Sequence, residues 1–182
     1  SCSDVTHSSA TIRGDSINVK LVPSGSPTTA QFHVGLRFVP TNRGEFPILG
    51  NTFNSVSTSA NTYINFTGGN GSNASEAVAV STATSPSPGL IIKNGTYSVS
   101  TAPGASKSYT YTLRRNFASP TGGPTATISG TATTARDDGY IVVAEQDKIV
   151  HQWVPSGTPT AGQFHAGFTG YFTQPQITPT FP

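Results

Sequence analysis

One phrase of the sequence occurs twice, and this internal repeat constrains the fold more than any other feature. Residues 154–168 read VPSGTPTAGQFHAGF and residues 22–36 read VPSGSPTTAQFHVGL, at a constant offset of 132 residues. Over residues 22–38 and 154–170, ten of seventeen positions are identical. The region between the two copies is not duplicated. We therefore expect one whole unit, preceded by only the closing part of another.

Each copy alternates apolar and polar residues on either side of a loop that contains proline and glycine. In the second copy Ile149, His151 and Trp153 precede the loop, and Phe164 follows it. A period of two predicts half-buried β-strands, and the proline and glycine residues predict a turn between them. We therefore predict that each copy is a β-hairpin, with Phe164 facing the core and His165 facing away from it.

The remaining sequence also indicates strands and turns, with no helix of convincing length. Asn94-Gly95 is a strong two-residue hairpin signal, so we predict two separate strands around it. Residues 39–50 are interpreted as a connection, because Pro40, Arg43-Gly44 and Pro47 interrupt them. The pattern predicts an all-β fold: an antiparallel β-sandwich, jelly-roll-like, with a partial internal repeat. The predicted strands in this region are residues 63–66, 77–80, 90–93, 96–99, 109–113, 125–131 and 140–144.

The chain of 182 residues fits one large β-domain with an extension. We predict that residues 1–40 form the partial repeat, a β-hairpin extension. Residues 41–172 form the β-sandwich domain, and residues 173–182 form an extended, proline-containing tail.

Charge and hydropathy exclude two classes of partner. The net charge is +2, and Arg114-Arg115 is the only cluster of basic residues, so we expect no nucleic-acid partner. No apolar run approaches the roughly 18 residues that a membrane span needs, so we expect no membrane partner.

The residues that could carry chemistry do not form a recognisable catalytic motif. There is no Gly-X-Ser-X-Gly or His-Glu-X-X-His pattern, so we predict neither enzyme activity nor a cofactor. Residues 137–139 could hold calcium, although a solvated turn is the commoner arrangement for Asp-Asp-Gly. Trp153 could stack on a sugar, although its phase with Ile149 favours the core. By the same phase, His151 is expected on the inner face and is not expected to be a ligand.

Three stretches together resemble a known kind of module. Residues 102–116 read APGASKSYTYTLRRN, residues 125–134 read TATISGTATT, and residues 147–160 begin the second copy of the repeat. They are similar to a β-sandwich module of tail-fibre and other virion structural proteins of tailed bacteriophages. The resemblance covers residues 90–172, with residues 4–38 as a partial second copy. It implies a structural role at a particle surface, as a capsid-decoration, tail or fibre protein.

We therefore expect a structural protein of an extracellular assembly, most simply a bacteriophage virion component, that acts through subunit contacts. One alternative is an extracellular, pilus-like filament subunit, and another is a fibre module that binds a carbohydrate or receptor. The expected location is the virion or the extracellular space. The expected partners are other copies of the chain, with other virion proteins or a cell-surface glycan as further possibilities.

The first copy of the repeat supplies most of the candidate interface residues. Its apolar strand has no unduplicated partner strands, so it either packs on its own sheet or pairs with a neighbouring subunit. We favour the second arrangement, in which residues 1–40 connect subunits. The single cysteine near the terminus is either a free thiol or a link between subunits. The candidate interface residues are Cys2, Phe32, His33, Val34, Leu36 and His165.

Overall fold

The structure is a computed structural model, and it describes residues 38–172 except 43, 52–54, 67–71 and 83–88, with isolated positions before residue 38. The chain divides into two compact units, Ser1–Arg37 and Phe38–Pro182. Every element below belongs to the second unit. The predicted division at residues 1–40, 41–172 and 173–182 stays a prediction, because most of the first segment and all of the last lie outside the described residues.

The described chain is almost entirely β-structure, as its alternating sequence predicts. Ten strands and one short helix follow one another along it. The strands are β1 (Glu45–Asn51), β2 (Thr62–Asn65), β3 (Ser72–Asn73), β4 (Ser81–Thr82), β5 (Leu90–Val99), β6 (Gly104–Arg115), β7 (Thr125–Gly130), β8 (Thr134–Val143), β9 (Lys148–Ser156) and β10 (Phe164–Phe172), and the helix is α1 (Glu76–Ala79).

The strands form two antiparallel sheets that pack face to face. The four-stranded sheet has the order β1-β10-β5-β8. The second sheet has the order β3-β2-β9-β6-β7, with β4 also paired to β9. Apart from the β6–β7 hairpin, successive long strands alternate between the two sheets, which is the path of an eight-stranded jelly roll. The predicted all-β sandwich with jelly-roll character is confirmed.

The predicted hairpin of the second repeat copy is wrong. Its two strands, β9 and β10, lie in different sheets, so residues 157–163 form an arch across the sandwich instead of a hairpin turn. Both strands bury one apolar face, and an arch lets these faces meet across the core, whereas a hairpin would set the strands side by side. The hydroxyl of Tyr109 donates to the carbonyl of Thr160 at 3.2 Å and fastens the arch.

The predicted turn at Asn94-Gly95 is also wrong, because both residues lie within the continuous strand β5. Asn94 has a φ of 58°, and the pairing of β5 with β8 shifts register between Lys93 and Gly95, which makes this point a β-bulge. Gly95 is required there, since a Cβ atom on it would lie 1.9 Å from the hydroxyl oxygen of Tyr97. The bulge thus gives the Tyr97 ring room to fold back over the strand.

Two other segments differ from the predictions. Strand β1 begins at Glu45 and takes up the second half of residues 39–50, which were interpreted as a connection, because pairing with β10 holds it in the sheet despite Pro47. Part of the predicted strand at residues 77–80 belongs to the short helix α1. In the part of the chain that the structure describes, no helix is long and apolar enough to cross a membrane.

Aromatic side chains from both sheets fill the core. Trp153 and Phe164 have ring centroids 3.8 Å apart, and Tyr97 and Tyr111 stack at 4.1 Å. Trp153 and Phe164 are each 1% exposed, which confirms that both face the core. The second repeat copy thus places aromatic groups on each side of the sandwich, and their burial supplies much of its stability.

Two backbone groups on the outer edge of β8 form hydrogen bonds, one with the loop between β6 and β7 and one with β6 of the other sheet. β8 pairs only with β5 among the described strands, so alternate backbone groups of β8 point away from the sheet. The N–H group of Tyr140 donates to the carbonyl of Gly122 at 3.1 Å. The guanidinium of Arg115, on β6, donates to the carbonyl of Val142. Two of these edge groups are therefore already paired within the chain.

Candidate functional site

Most of the predicted interface lies outside the described residues: Cys2, Phe32, His33, Val34 and Leu36. The remaining candidate, His165, lies on β10 opposite Ser98 of β5. Its side chain is exposed while that of the preceding residue is buried, so the predicted orientation of His165 is confirmed. Its role in an interface stays a prediction.

The outward side of the four-stranded sheet, here called the outer face, carries several apolar residues that are exposed or half-buried. Tyr171, Ile91 and Val142 lie in one cross-strand row on β10, β5 and β8. Tyr140 lies in the next row, opposite Lys93. Tyr140 is 58% exposed and Val142 is 46% exposed. Two neighbouring rows therefore present aromatic and aliphatic groups to solvent.

The outer face continues to the opposite edge of the sheet, on β1. Leu49 lies opposite Gly167 of β10 and is 69% exposed. Because glycine has no side chain, nothing on the neighbouring strand covers Leu49 at this position. Apolar residues thus occur on both edge strands of this face.

A charged pair lies between the apolar residues. The Nζ atom of Lys93 is 3.2 Å from Oε1 of Glu45 and 5.8 Å from the centre of the Tyr171 ring. The amide of Asn42 donates to Oε2 of Glu45 at 2.9 Å. That hydrogen bond is the main cause that lowers the pKa of Glu45. Desolvation opposes it as the next cause in size, and the hydrogen bond and charge of Lys93 lower the pKa further. The carboxylate is therefore held ionised and in a fixed orientation.

The outward side of the second sheet has a different character and is here called the threonine face, formed by Thr110, Thr112, Thr125 and Thr127. Thr110 and Thr127 lie opposite each other on β6 and β7, with their hydroxyl oxygens 3.1 Å apart. Thr112 and Thr125 form the next row. Such hydroxyl pairs across strands stabilise the sheet while leaving its surface polar. The two faces of the sandwich therefore differ in chemistry.

A polar centre is enclosed between the sheets. The hydroxyl of Tyr111 lies 2.8 Å from Nδ1 of His151, and both residues are buried. Burial lowers the pKa of His151 to about 4, and a backbone interaction with Phe66 opposes that effect only in part. Burial also raises the pKa of Tyr111 well above its usual value, with the nearby Tyr97 as a second cause. The imidazole is thus neutral at pH 7, and its predicted place on the inner face is confirmed.

Among the described residues, no group of three or more His, Cys, Asp and Glu side chains could hold a metal ion. At the suggested calcium position, Oδ1 of Asp137 accepts a hydrogen bond from the backbone N–H of Gly139 at 2.6 Å. Asp137 therefore takes part in shaping the backbone of β8 beside the bulge.

Sequence reasoning did not single out the outer face, although one signal for it was present. Residues 140–143 read YIVV, a run that is apolar on both sides of a strand. Ile141 and Val143 are buried in the core, which leaves Tyr140 and Val142 on the surface. An apolar run of this kind indicates a strand covered on both faces.

No protein-family model matches the chain. No curated protein matches it significantly either.

Proposed function

We propose that this protein is a structural subunit of an extracellular assembly, and that its copies associate through the outer face of the four-stranded sheet. The single observation that supports this proposal is the exposure of Leu49, Tyr140 and Val142 on that face. Isolated apolar residues are normal on protein surfaces, but Tyr140 and Val142 lie in neighbouring rows on β8, and apolar residues that cluster in this way are typical of interaction sites. The threonine face provides the contrast, because it carries hydroxyl groups at comparable positions.

The charges of the outer face favour another copy of the same chain as the partner. Lys93 and Arg136 contribute positive charge, and Glu45 and Asp138 contribute negative charge. A face that carries both signs in equal number can meet a copy of itself without net repulsion. A nucleic acid would instead require an excess of positive charge.

The assembly is proposed to be a virion component, because residues 90–172 resemble the β-sandwich modules of bacteriophage tail-fibre and other virion proteins. A filament of the pilus type is the alternative assembly. The connection through residues 1–40, including Cys2 and Phe32, stays a second, separate prediction. Electron microscopy of the purified chain distinguishes a closed oligomer from a filament.

The test measures the size of the purified chain by sedimentation velocity. Val142→Lys places a charge in the apolar row, and we expect it to convert the oligomer to a monomer because a buried, unpaired charge is costly. Thr127→Lys places the same charge on the opposite face and serves as the control, which should leave the size unchanged.

Two outcomes would contradict the proposal. One is a wild-type chain that is monomeric at high micromolar concentration, and the other is an oligomer that Val142→Lys does not change. Deletion of residues 1–40 separates the two predicted contacts. If this deletion alone abolishes association, the N-terminal segment is the connector and the outer face is not.

A further inference from the structure

Three side chains that can react with one another meet at the start of β1. The Oε2 atom of Glu45 accepts a hydrogen bond from the side-chain amide of Asn42 at 2.9 Å. The Oε1 atom of the same carboxylate lies 3.2 Å from the Nζ atom of Lys93. One carboxylate therefore holds a primary amine and a carboxamide at the same time. An amine and a carboxamide are the two groups from which a new amide bond can form.

Backbone contacts and register hold these groups close to one another. The N–H of Glu45 donates to the carbonyl of Asn42 at 3.2 Å and closes a turn at the beginning of β1. On β10, Tyr171 lies opposite Glu45, and its ring centre is 5.8 Å from the Nζ atom of Lys93. The side chains of Lys93 and Glu45 are only 35% and 18% exposed. The groups are thus brought together by the fold itself.

Glu45 is placed to move protons between the other two groups. An ordinary lysine amine is protonated at pH 7 and attacks a carbonyl carbon only after it has lost a proton. The carboxylate of Glu45 is ionised, so it can accept that proton at Oε1. Its Oε2 atom lies beside the amide nitrogen of Asn42, to which the resulting carboxyl group can return a proton.

We propose that Lys93 and Asn42 form an intramolecular isopeptide bond, with Glu45 as the catalytic base and acid. The Lys93 amine gives a proton to Glu45, and its electron pair forms a bond to Cγ of Asn42. The bond between Cγ and Nδ2 of Asn42 then breaks, and the nitrogen leaves as ammonia. The amine loses two protons in all. One completes the ammonia, the other converts it to ammonium, and the Glu45 carboxylate is regenerated.

Proximity makes this reaction possible, although an isolated amide is unreactive. Well-oriented groups within one molecule react as if at concentrations of roughly 10⁵–10⁸ M. A positioned acid or base contributes a further factor of roughly 10²–10⁴. Asn42 is exposed, so the ammonia released there escapes into solvent and the reverse reaction does not compete. The reaction needs no oxidant and no further reactant.

The bond joins the edge of the four-stranded sheet to its centre. Asn42 precedes the edge strand β1, Lys93 lies on β5, and β10 lies between these two strands. With the bond in place, β1 cannot separate far from the sheet unless a covalent bond breaks. The inference does not require the proposed assembly, because the reaction takes place within one chain.

The intact mass of the full chain, measured under denaturing conditions, tests the inference. The folded protein is first incubated for several days at pH 7 and at pH 9, since only the uncharged amine attacks. We expect a mass that is lower than the sequence mass by one ammonia, with faster conversion at pH 9. The groups that face the amine are Glu45 on β1, Tyr171 on β10 and Tyr140 on β8.

Digestion with trypsin then locates the bond. The unreacted chain gives the separate peptides 38–43, 44–93 and 94–107, because trypsin cleaves after Arg43, Lys93 and Lys107. In the reacted chain Lys93 is blocked, so peptide 44–107 stays whole and carries peptide 38–43 as a branch. This branch distinguishes the isopeptide bond from loss of ammonia at an Asn-Gly sequence such as Asn94-Gly95.

Variants separate the roles of the three residues. Lys93→Arg keeps a positive charge beside Glu45 but has no attacking amine, so it should retain its full mass. Asn42→Ala should also retain its full mass. Glu45→Gln should slow the reaction at least about 100-fold, because it removes the proton acceptor. Lys148→Arg changes a lysine that lies over Phe117 and is the control, which should lose ammonia like the wild type.

Three results would overturn the inference. They are a wild-type chain that keeps its full mass at pH 9, a loss of ammonia without the branched peptide, and a loss that persists in Lys93→Arg. An unchanged rate in Glu45→Gln would disprove the catalytic role of Glu45. Circular dichroism of each variant confirms that it is folded before its mass is compared.

Discussion

The hydroxyl of Tyr111 lies 2.8 Å from Nδ1 of His151, and the two residues form a polar contact inside an aromatic core. The ring of Phe168 stacks on that of His151 with centroids 5.9 Å apart and an interplanar angle of 13°. The Nε2 atom makes no well-formed hydrogen bond with the residues that the structure describes. Protonation of this imidazole would therefore place a charge where little compensates it.

Because the imidazole of His151 is buried and neutral, we expect the protein to lose stability in acid. The folded state holds the pKa of His151 at about 4, below its ordinary value of 6.5. The neutral imidazole makes its full contribution to the free energy of unfolding above pH 6.5. This contribution decreases as the pH falls toward 4, because protons bind preferentially to the unfolded chain. The loss is about 1.4 kcal/mol per pH unit and about 3 kcal/mol in total.

Urea unfolding between pH 7 and pH 4 measures this effect. His151→Gln stays neutral throughout, so its free energy of unfolding should depend less steeply on pH than that of the wild type. His165→Gln removes an exposed histidine and is the matched control, which should keep the wild-type slope. Equal slopes for the wild type and His151→Gln would contradict the prediction.

Phe164 is expected to be one of the most sensitive positions in the core. Its ring contacts Trp153 and meets Tyr109 edge to face with centroids 4.9 Å apart. Phe164→Ala should lower the free energy of unfolding by about 3–5 kcal/mol, because the surrounding rings cannot fill the cavity. Phe117, which is 41% exposed, provides the control, and Phe117→Ala should cost less than about 1 kcal/mol. Chemical denaturation compares the two.

Gly95 is predicted to tolerate no side chain. Gly95→Ala places a methyl group against the Tyr97 hydroxyl, and the ring has no space to retreat inside the packed core. We expect a loss of about 2–3 kcal/mol from this overpacking. Gly167→Ala is the control in the neighbouring strand, since its Cβ atom meets only Leu49, at an ordinary 3.7 Å. Similar midpoints of thermal unfolding for the two variants would show that the bulge can adapt.

Asp147 is predicted to stabilise the turn between β8 and β9. Its Oδ2 atom accepts from the N–H of Ala144 at 2.8 Å, and its Oδ1 atom accepts from Asn116 at 2.6 Å. Asp147→Ala should cost about 1.5–3 kcal/mol, since both hydrogen bonds involve a charged group. Glu145→Ala removes an exposed carboxylate from the same turn and should change the midpoint of urea unfolding only slightly.

The sequence predicted burial better than it predicted connectivity. The alternation in β9 and β10 correctly places Trp153 and Phe164 in the core, because period-two patterning records which side of a strand meets apolar neighbours. The same alternation cannot show whether two strands pair or face each other across a sandwich. Asn94-Gly95 illustrates a related limit, since a left-handed Asn followed by Gly serves a bulge as well as a turn.

The candidate site was harder to predict for the same reason. The outer face joins residues of four strands that are far apart in sequence, such as Leu49, Ile91 and Tyr140. Only the order β1-β10-β5-β8 brings them into one surface.

The two bonded backbone groups at the edge of β8 have a consequence for how copies of this chain can add to one another. A foreign strand begins to pair by capturing free backbone groups, and at Tyr140 and Val142 those groups are already bonded to Gly122 and Arg115. Copies that meet beside Tyr140 and Val142 therefore cannot use these two groups to pair their backbones, and contacts there form through side chains. Contacts of that kind separate and re-form without unfolding the subunit, whereas a cross-β ribbon grows without limit and rarely dissolves. At this edge, the guanidinium of Arg115 thus favours reversible association over irreversible fibril growth.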